Sequence, residues 1–115
     1  MTRHDDRTRL RHMLDYAEEA SSLAQNRRRS DLDTDRLLRH ALTHLVEVVG
    51  EAAAHVSEPI RQAHAGIPWG EIVGLRNRLI HGYDKVDLDV LWRIVQTDLP
   101  PLIASLKGLL RSLGQ

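Results

Sequence analysis

The chain has 115 residues, no cysteine, 16 basic and 16 acidic side chains, and a formal net charge of zero. That length suits one domain over residues 1–115 with one core, small enough for dimerisation to help bury apolar surface. Neutrality removes any global electrostatic argument for nucleic acid and leaves only local patches. The missing thiols exclude disulfides and thiolate metal sites, and they fit a reducing compartment. No apolar run approaches the ~20 residues that cross a bilayer, and the opening Arg3-His4-Asp5-Asp6 lacks the apolar core of a signal peptide. A cytoplasmic protein without membrane association is expected. With two Trp, two Tyr and no Phe, its core must be aliphatic, which suits helix-on-helix packing.

The first helix is predicted over about 6–25, where Leu10, Met13, Leu14, Ala17, Ser21 and Ala24 follow amphipathic spacing. Arg27-Arg28-Arg29-Ser30 breaks that pattern and reads as an exposed connection; a solvated loop and a contact to an RNA backbone are the two readings of its three cations. Asp33 or Thr34 supplies an N-cap, and a second helix is expected over about 35–56, with Leu38, Ala41, Leu42, Leu45, Val49, Ala52, Ala53 and Val56 inward. Ser57 and Pro59 end it.

The opposite face of the second helix carries His40, His44, Glu47, Glu51 and His55 on one stripe. His and Glu at i, i+4 can share a metal, but the other predicted helices offer no matching Glu-x-x-His, so no metal site is expected. A polar face, a dimer contact or the wall of a cleft fits better. Gly50 interrupts this helix at a cost of about 1 kcal/mol relative to Ala, which a closely approaching helix, from this chain or a second subunit, would explain.

A short helical turn is expected between Pro59 and Pro68. Pro68 then opens a third helix at a first-turn position, anchored by core residues Trp69 and Ile72. That helix should run through Gly74-Leu75-Arg76-Asn77-Arg78-Leu79-Ile80-His81 and stop at a left-handed Gly82. On that geometry His81 is the last helical residue and shares a face with Asn77, while Arg76 lies about 140° away at ~100° per residue. Asp87 caps a last helix over about 88–113, which Pro100 and Pro101 should kink near Asp98.

The chemistry concentrates in residues 74–83. Arg76 offers a planar fork of donors for a phosphate and for the charge that builds on it, and His81 titrates near neutrality, so it can give or take a proton. Asn77 can orient either one. The bland alternative is a pair of solvated cations at the negative end of a helix dipole.

The run Arg76-x-x-x-x-His81-x-Tyr83, with Asn directly after the Arg, resembles the signature of the HEPN superfamily, and specifically the HepT-like toxins. The likeness extends to Asp6-Arg7-x-Arg9-Leu10-Arg11-His12-Met13-Leu14, to Val46-Glu47-Val48-Val49-Gly50-Glu51-Ala52-Ala53, to Ile67-Pro68-Trp69 and to Asp98-Leu99-Pro100-Pro101-Leu102. It implies an all-α antiparallel HEPN four-helix bundle with a short extra helical turn and a kinked last helix. It also implies a homodimer acting as the toxin of a type VII-like toxin–antitoxin pair.

The implied activity is metal-independent endoribonuclease cleavage without a cofactor. His81 would transfer the proton, Arg76 would stabilise the phosphate charge, and Asn77 would orient one of them. The resemblance favours Glu47 and Glu51 as cleft or dimer contacts. It makes Tyr83 the acceptor for AMP from a minimal nucleotidyltransferase antitoxin; the plain alternative is a Tyr that staples the loop. Two rival functions stand beside this one. One is a non-catalytic helical adaptor for the nucleotidyltransferase, and the other is a metal-binding bundle using His40 and His44.

Overall fold

The computed structural model describes residues 3–81 and 85–114, the side chains of residues 3, 4 and 81 excepted. Eight helices, one π-helical turn and one two-residue strand pair make up these residues. Helix α1 (Arg3–Leu23) packs on α3 (Arg36–Ala54) and on α8 (Leu99–Ser112). Both neighbours run antiparallel to it. Asp6 near the start of α1 meets Ser57 just beyond α3, and Arg7 Nη2 donates to the carbonyl of Leu113 beyond α8 at 2.6 Å.

The core is aliphatic, as composition requires. Leu10, Met13, Ala17, Leu42, Val46, Val49, Leu79, Leu91, Ile94 and Leu106 are all fully or almost fully buried. Asp6 is the buried charged residue of the described set. Its carboxylate accepts from Ser57 N at 2.8 Å and from Ser57 Oγ at 2.6 Å, which satisfies the charge and ties α1 to α4 (Glu58–Ala63).

The start of the second long helix differs from the sequence expectation. Asp33 and Thr34 belong to a one-turn helix, α2 (Asp31–Thr34), and the cap is Asp35, whose extended backbone lets its carboxylate accept from Leu38 N at 3.0 Å. The basic loop before it is internally neutralised. Arg27 pairs with Asp31 and with Asp35 (2.7 Å), while Arg29 pairs with Asp33 and reaches Asp89 at 2.6 Å. Donation from the Arg28 N–H holds the Asp31 carboxylate below its ordinary range, and donation from the Leu38 N–H does the same for Asp35. Two of the three cations thus pin the loop to its neighbouring acids and to the start of α7 (Leu88–Arg93).

Trp69 is core, 7% exposed, with its indole Nε1 donating to the His64 carbonyl at 3.1 Å. The third helix departs from expectation in two ways. It is split at Gly74 into α5 (Trp69–Val73) and α6 (Leu75–Leu79), and it ends before His81. Ile80 is extended and enters β1 (Ile80–His81), paired antiparallel with β2 (Lys85–Val86) in the register Ile80 to Val86 and His81 to Lys85. Facing β-branched residues favour that pairing, and Asp87 N donates to the Leu79 carbonyl at 2.7 Å, satisfying a helix-terminal acceptor from outside the helix. The expected stop at Gly82 lies outside the described residues.

Asp87 caps α7 (Leu88–Arg93) by accepting from Val90 N at 3.1 Å. The expected interruption near Asp98 takes the form of a π-helical turn, Ile94–Asp98, in which Leu99 N donates five residues back to the Ile94 carbonyl. Pro100 and Pro101 cannot donate to the carbonyls of Gln96 and Thr97, and their rings crowd the preceding turn, so widening it costs little hydrogen bonding.

Candidate active site

Helix α6 buries Leu75 and Leu79, one turn apart, and this orientation decides where its polar residues go. Arg76 and Asn77 fall on the exposed side, and the Arg76 side chain is 75% exposed. Arg78 points the other way and donates to Asp98 Oδ2 of the π turn at 3.2 Å. The two arginines of one short helix therefore serve different surfaces.

Arg76 Nε lies 3.6 Å from Glu47 Oε2 on α3. Glu47 is the more enclosed partner at 28% exposure. A glycine allows this approach. A Cβ on Gly50, one turn along α3 from Glu47, would sit 2.8 Å from the Ile72 carbonyl oxygen and 3.6 Å from Leu75 Cβ. The helix that closes on Gly50 thus belongs to the same chain.

Of the residues expected in the site, the structure brings Arg76 and Glu47 together, with Asn77 on the same exposed turn as Arg76. Glu51 is exposed one turn farther along α3. The backbone of His81 follows two residues after α6 in β1, so the expectation that His81 ends a helix and shares a helical face with Asn77 is overturned by the extended backbone. Tyr83 lies outside the described residues. His40, His44 and His55 are exposed along α3, and among the described residues no three His, Asp or Glu side chains gather as a metal-binding group.

A cavity of about 300 Å³ opens on the far side of α6. Ile67, Ile72, Leu75 and Leu102 form apolar walls, and the Arg78–Asp98 pair contributes polar lining; neither Arg76, Asn77 nor Glu47 borders it. The sequence reading assigned no role to Arg78 or Asp98. The available signal was positional: Arg78 is two residues from Arg76, hence on the opposite side of a helix. No helix among the described residues is long and apolar enough to cross a membrane.

Comparison with known proteins adds an independent line. The model of the family described as Ribonuclease HepT-like matches residues 13–109. A protein named Probable ribonuclease HepT, from Thermococcus cleftensis, is 37% identical over 78 residues, covering 68% of this chain and 67% of its own. A Methanocaldococcus jannaschii protein with the provisional name of an RNase is 30% identical over 102 residues, covering 89% of this chain and 94% of its own. A similarly named protein of Caldanaerobacter subterraneus is 32% identical over 81 residues, covering 70% and 72%. No solved structure matches. With a helical bundle presenting Arg76 and Asn77 on the short helix that precedes His81, and a family match spanning most of its length, this chain belongs to the HepT-like ribonuclease family of HEPN proteins.

Proposed function

We propose that this HepT-like endoribonuclease is the toxin of a toxin–antitoxin pair and cleaves RNA by attack of a ribose 2′-hydroxyl on the adjacent phosphate, without a metal. The products are a 2′,3′-cyclic phosphate and a 5′-hydroxyl. The observation that carries the reading is the exposed Arg76, with Glu47 beside its Nε, on a short helix whose chain runs through Ile80 into His81. Arg76 is a preorganised fork for the phosphate and for the charge that develops on it. His81 transfers the proton, and Asn77, on the same turn as Arg76, orients the guanidinium or the imidazole.

Cleavage needs one group to accept the 2′-hydroxyl proton and another to protonate the leaving 5′-oxygen. One His81 per chain supplies half of that pair. A homodimer with two such sites across a cleft supplies both imidazoles, and the exposed α3 face bearing His40, His44 and Glu51 is the surface offered for it.

Control is assigned to a minimal nucleotidyltransferase antitoxin. Its reaction joins the Tyr83 hydroxyl oxygen to the α-phosphorus of ATP, releases pyrophosphate and leaves AMP on the tyrosine. The added phosphate charge, two residues from His81, repels the RNA backbone.

The test is induced expression of wild type, His81→Ala, Arg76→Ala and Tyr83→Phe, each with and without the antitoxin. The expected result is growth arrest and RNA cleavage by wild type, loss of both in the first two variants, and a Tyr83→Phe protein that stays toxic beside its antitoxin. Four equally harmless, folded proteins that leave RNA intact would transfer the assignment to a non-catalytic adaptor.

A further inference from the structure

We propose that Glu47 is a positioning residue for Arg76: it holds the guanidinium by Nε so that the two terminal nitrogens are aimed at the RNA phosphate. The inference rests on the nuclease reading above and assigns to the α3 carboxylate a task in the chemical step. Three features of the structure carry it.

The first is the choice of atom. The carboxylate oxygen lies 3.6 Å from Nε, at the inner side of the guanidinium. A carboxylate that engages both terminal nitrogens competes with phosphate for the bidentate fork. One placed at Nε leaves that edge to a ligand.

The second is the difference in enclosure. Glu47 is 28% exposed and Arg76 is 75% exposed, so the acid is the more enclosed partner and the arginine the one that reaches outward. A long side chain in water samples many rotamers, and fixing it costs entropy at the moment of binding. An anchor at Nε removes much of that cost beforehand, which is the ordinary source of catalytic preorganisation.

The third is the seam that sets the spacing. Gly50 brings the Ile72 carbonyl to within 2.8 Å of where a Cβ would stand. This close packing of α5 and α6 on α3 puts Arg76 within reach of Glu47. The Glu47–Arg76 contact thus lies one turn from a close backbone approach between α3 and α5, the helix that leads into α6.

The sign of the effect separates positioning from simple electrostatics. A carboxylate beside a phosphate site repels RNA, so neutralising it should leave KM unchanged or lower. If Glu47 positions Arg76, the same change lowers kcat.

The experiment is steady-state cleavage of a short RNA by wild type, Glu47→Gln, Glu47→Asp, Arg76→Lys and the double variant Glu47→Gln/Arg76→Lys, each checked for an unchanged helical signal and thermal midpoint. The expected result is a kcat about tenfold lower in Glu47→Gln, with KM not raised, and partial recovery in Glu47→Asp. Lysine has no Nε–H at the guanidine position. In the Arg76→Lys background, Glu47→Gln should therefore change kcat by less than about twofold, because both residues act through one contact. An unchanged kcat in Glu47→Gln, or the same loss in both backgrounds, overturns the proposal while leaving the nuclease reading in place. Failure of wild type to cleave any RNA overturns the nuclease reading, and this proposal with it. If Glu47→Gln does not fold, Glu47→Asp, made alone and together with Arg76→Lys, decides: wild-type kcat overturns the proposal, and a lower kcat in the arginine background alone supports it.

Discussion

Gly50 and Ile72 stand so close that a single added carbon on the glycine would lie 2.8 Å from the Ile72 carbonyl oxygen. Substitution by Ala gains about 1 kcal/mol of helix propensity, yet the clash is with backbone, which yields only if α5 moves as a whole. Overpacking of this kind typically costs about 1–3 kcal/mol. Gly50→Ala is therefore expected to lower the urea midpoint, and Gly50→Val to lower it further. Because α5 leads directly into α6, both variants should also lose RNA cleavage, measurable at temperatures where they remain folded.

Asp6 offers a separate test of the scaffold. Its carboxylate is 3% exposed and receives both the main-chain and side-chain donors of Ser57. Asp6→Ala leaves the Ser57 N–H without its acceptor and should cost about 2–3 kcal/mol in chemical denaturation. Asp6→Asn keeps one amide oxygen as acceptor and should lose less. Neither change touches Arg76, so cleavage by the folded fraction should be unchanged.

Arg76 and Arg78 are separated by one residue and are expected to behave in opposite ways. Arg76→Ala should reduce kcat by roughly 10²–10³-fold, the usual loss on removing one transition-state donor, with stability changed by less than about 0.5 kcal/mol. Arg78→Ala removes the partner of Asp98 across the α6 to π-turn seam and should chiefly lower stability. A double-mutant cycle with Asp98→Ala should report a coupling of up to about 1 kcal/mol that shrinks in high salt.

Acid should loosen the connection between α1 and α3 first. Asp31 and Asp35 are both held below their ordinary carboxylate range, chiefly by main-chain donors. A group whose folded pKa is depressed stabilises the fold fully above its unfolded value, and that stability is lost as pH falls through the folded value. The loss therefore begins near the usual Asp range and is complete below it. Amide exchange of Leu38, whose N–H the Asp35 carboxylate accepts, should accelerate over that window ahead of exchange in the α1 core. Asp35→Asn should weaken this pH dependence.

Much of the fold was legible without coordinates, because it depends on local order. The 3.6-residue spacing of Leu10, Met13, Leu14 and Ala17, and of Leu42, Leu45, Val49 and Ala53, determined two helices and which faces they bury. Asp87 announced the start of α7 by a cap that needs only its own next three residues, and Pro100 and Pro101 announced a distortion by the donors they lack. The motif residues Arg76, Asn77, His81 and Tyr83 were readable as an ordered set for the same reason: their order is a property of the chain.

What tertiary structure alone decided lies at distances the chain order does not encode. The helical pattern through Leu79 and Ile80 continued in the sequence, but pairing of Ile80 with Val86 and capture of the Leu79 carbonyl by Asp87 drew the chain into a strand, and His81 left the helix. Asp33 and Thr34 were as good caps by type as Asp35, and the geometry of the short helix before them chose between the three. Glu47 and Arg76, 29 positions apart in sequence, meet because Gly50 lets two backbones approach. Sequence by itself determined which chemical groups this protein carries and the helices that display them; packing between helices decided which of those groups share a surface.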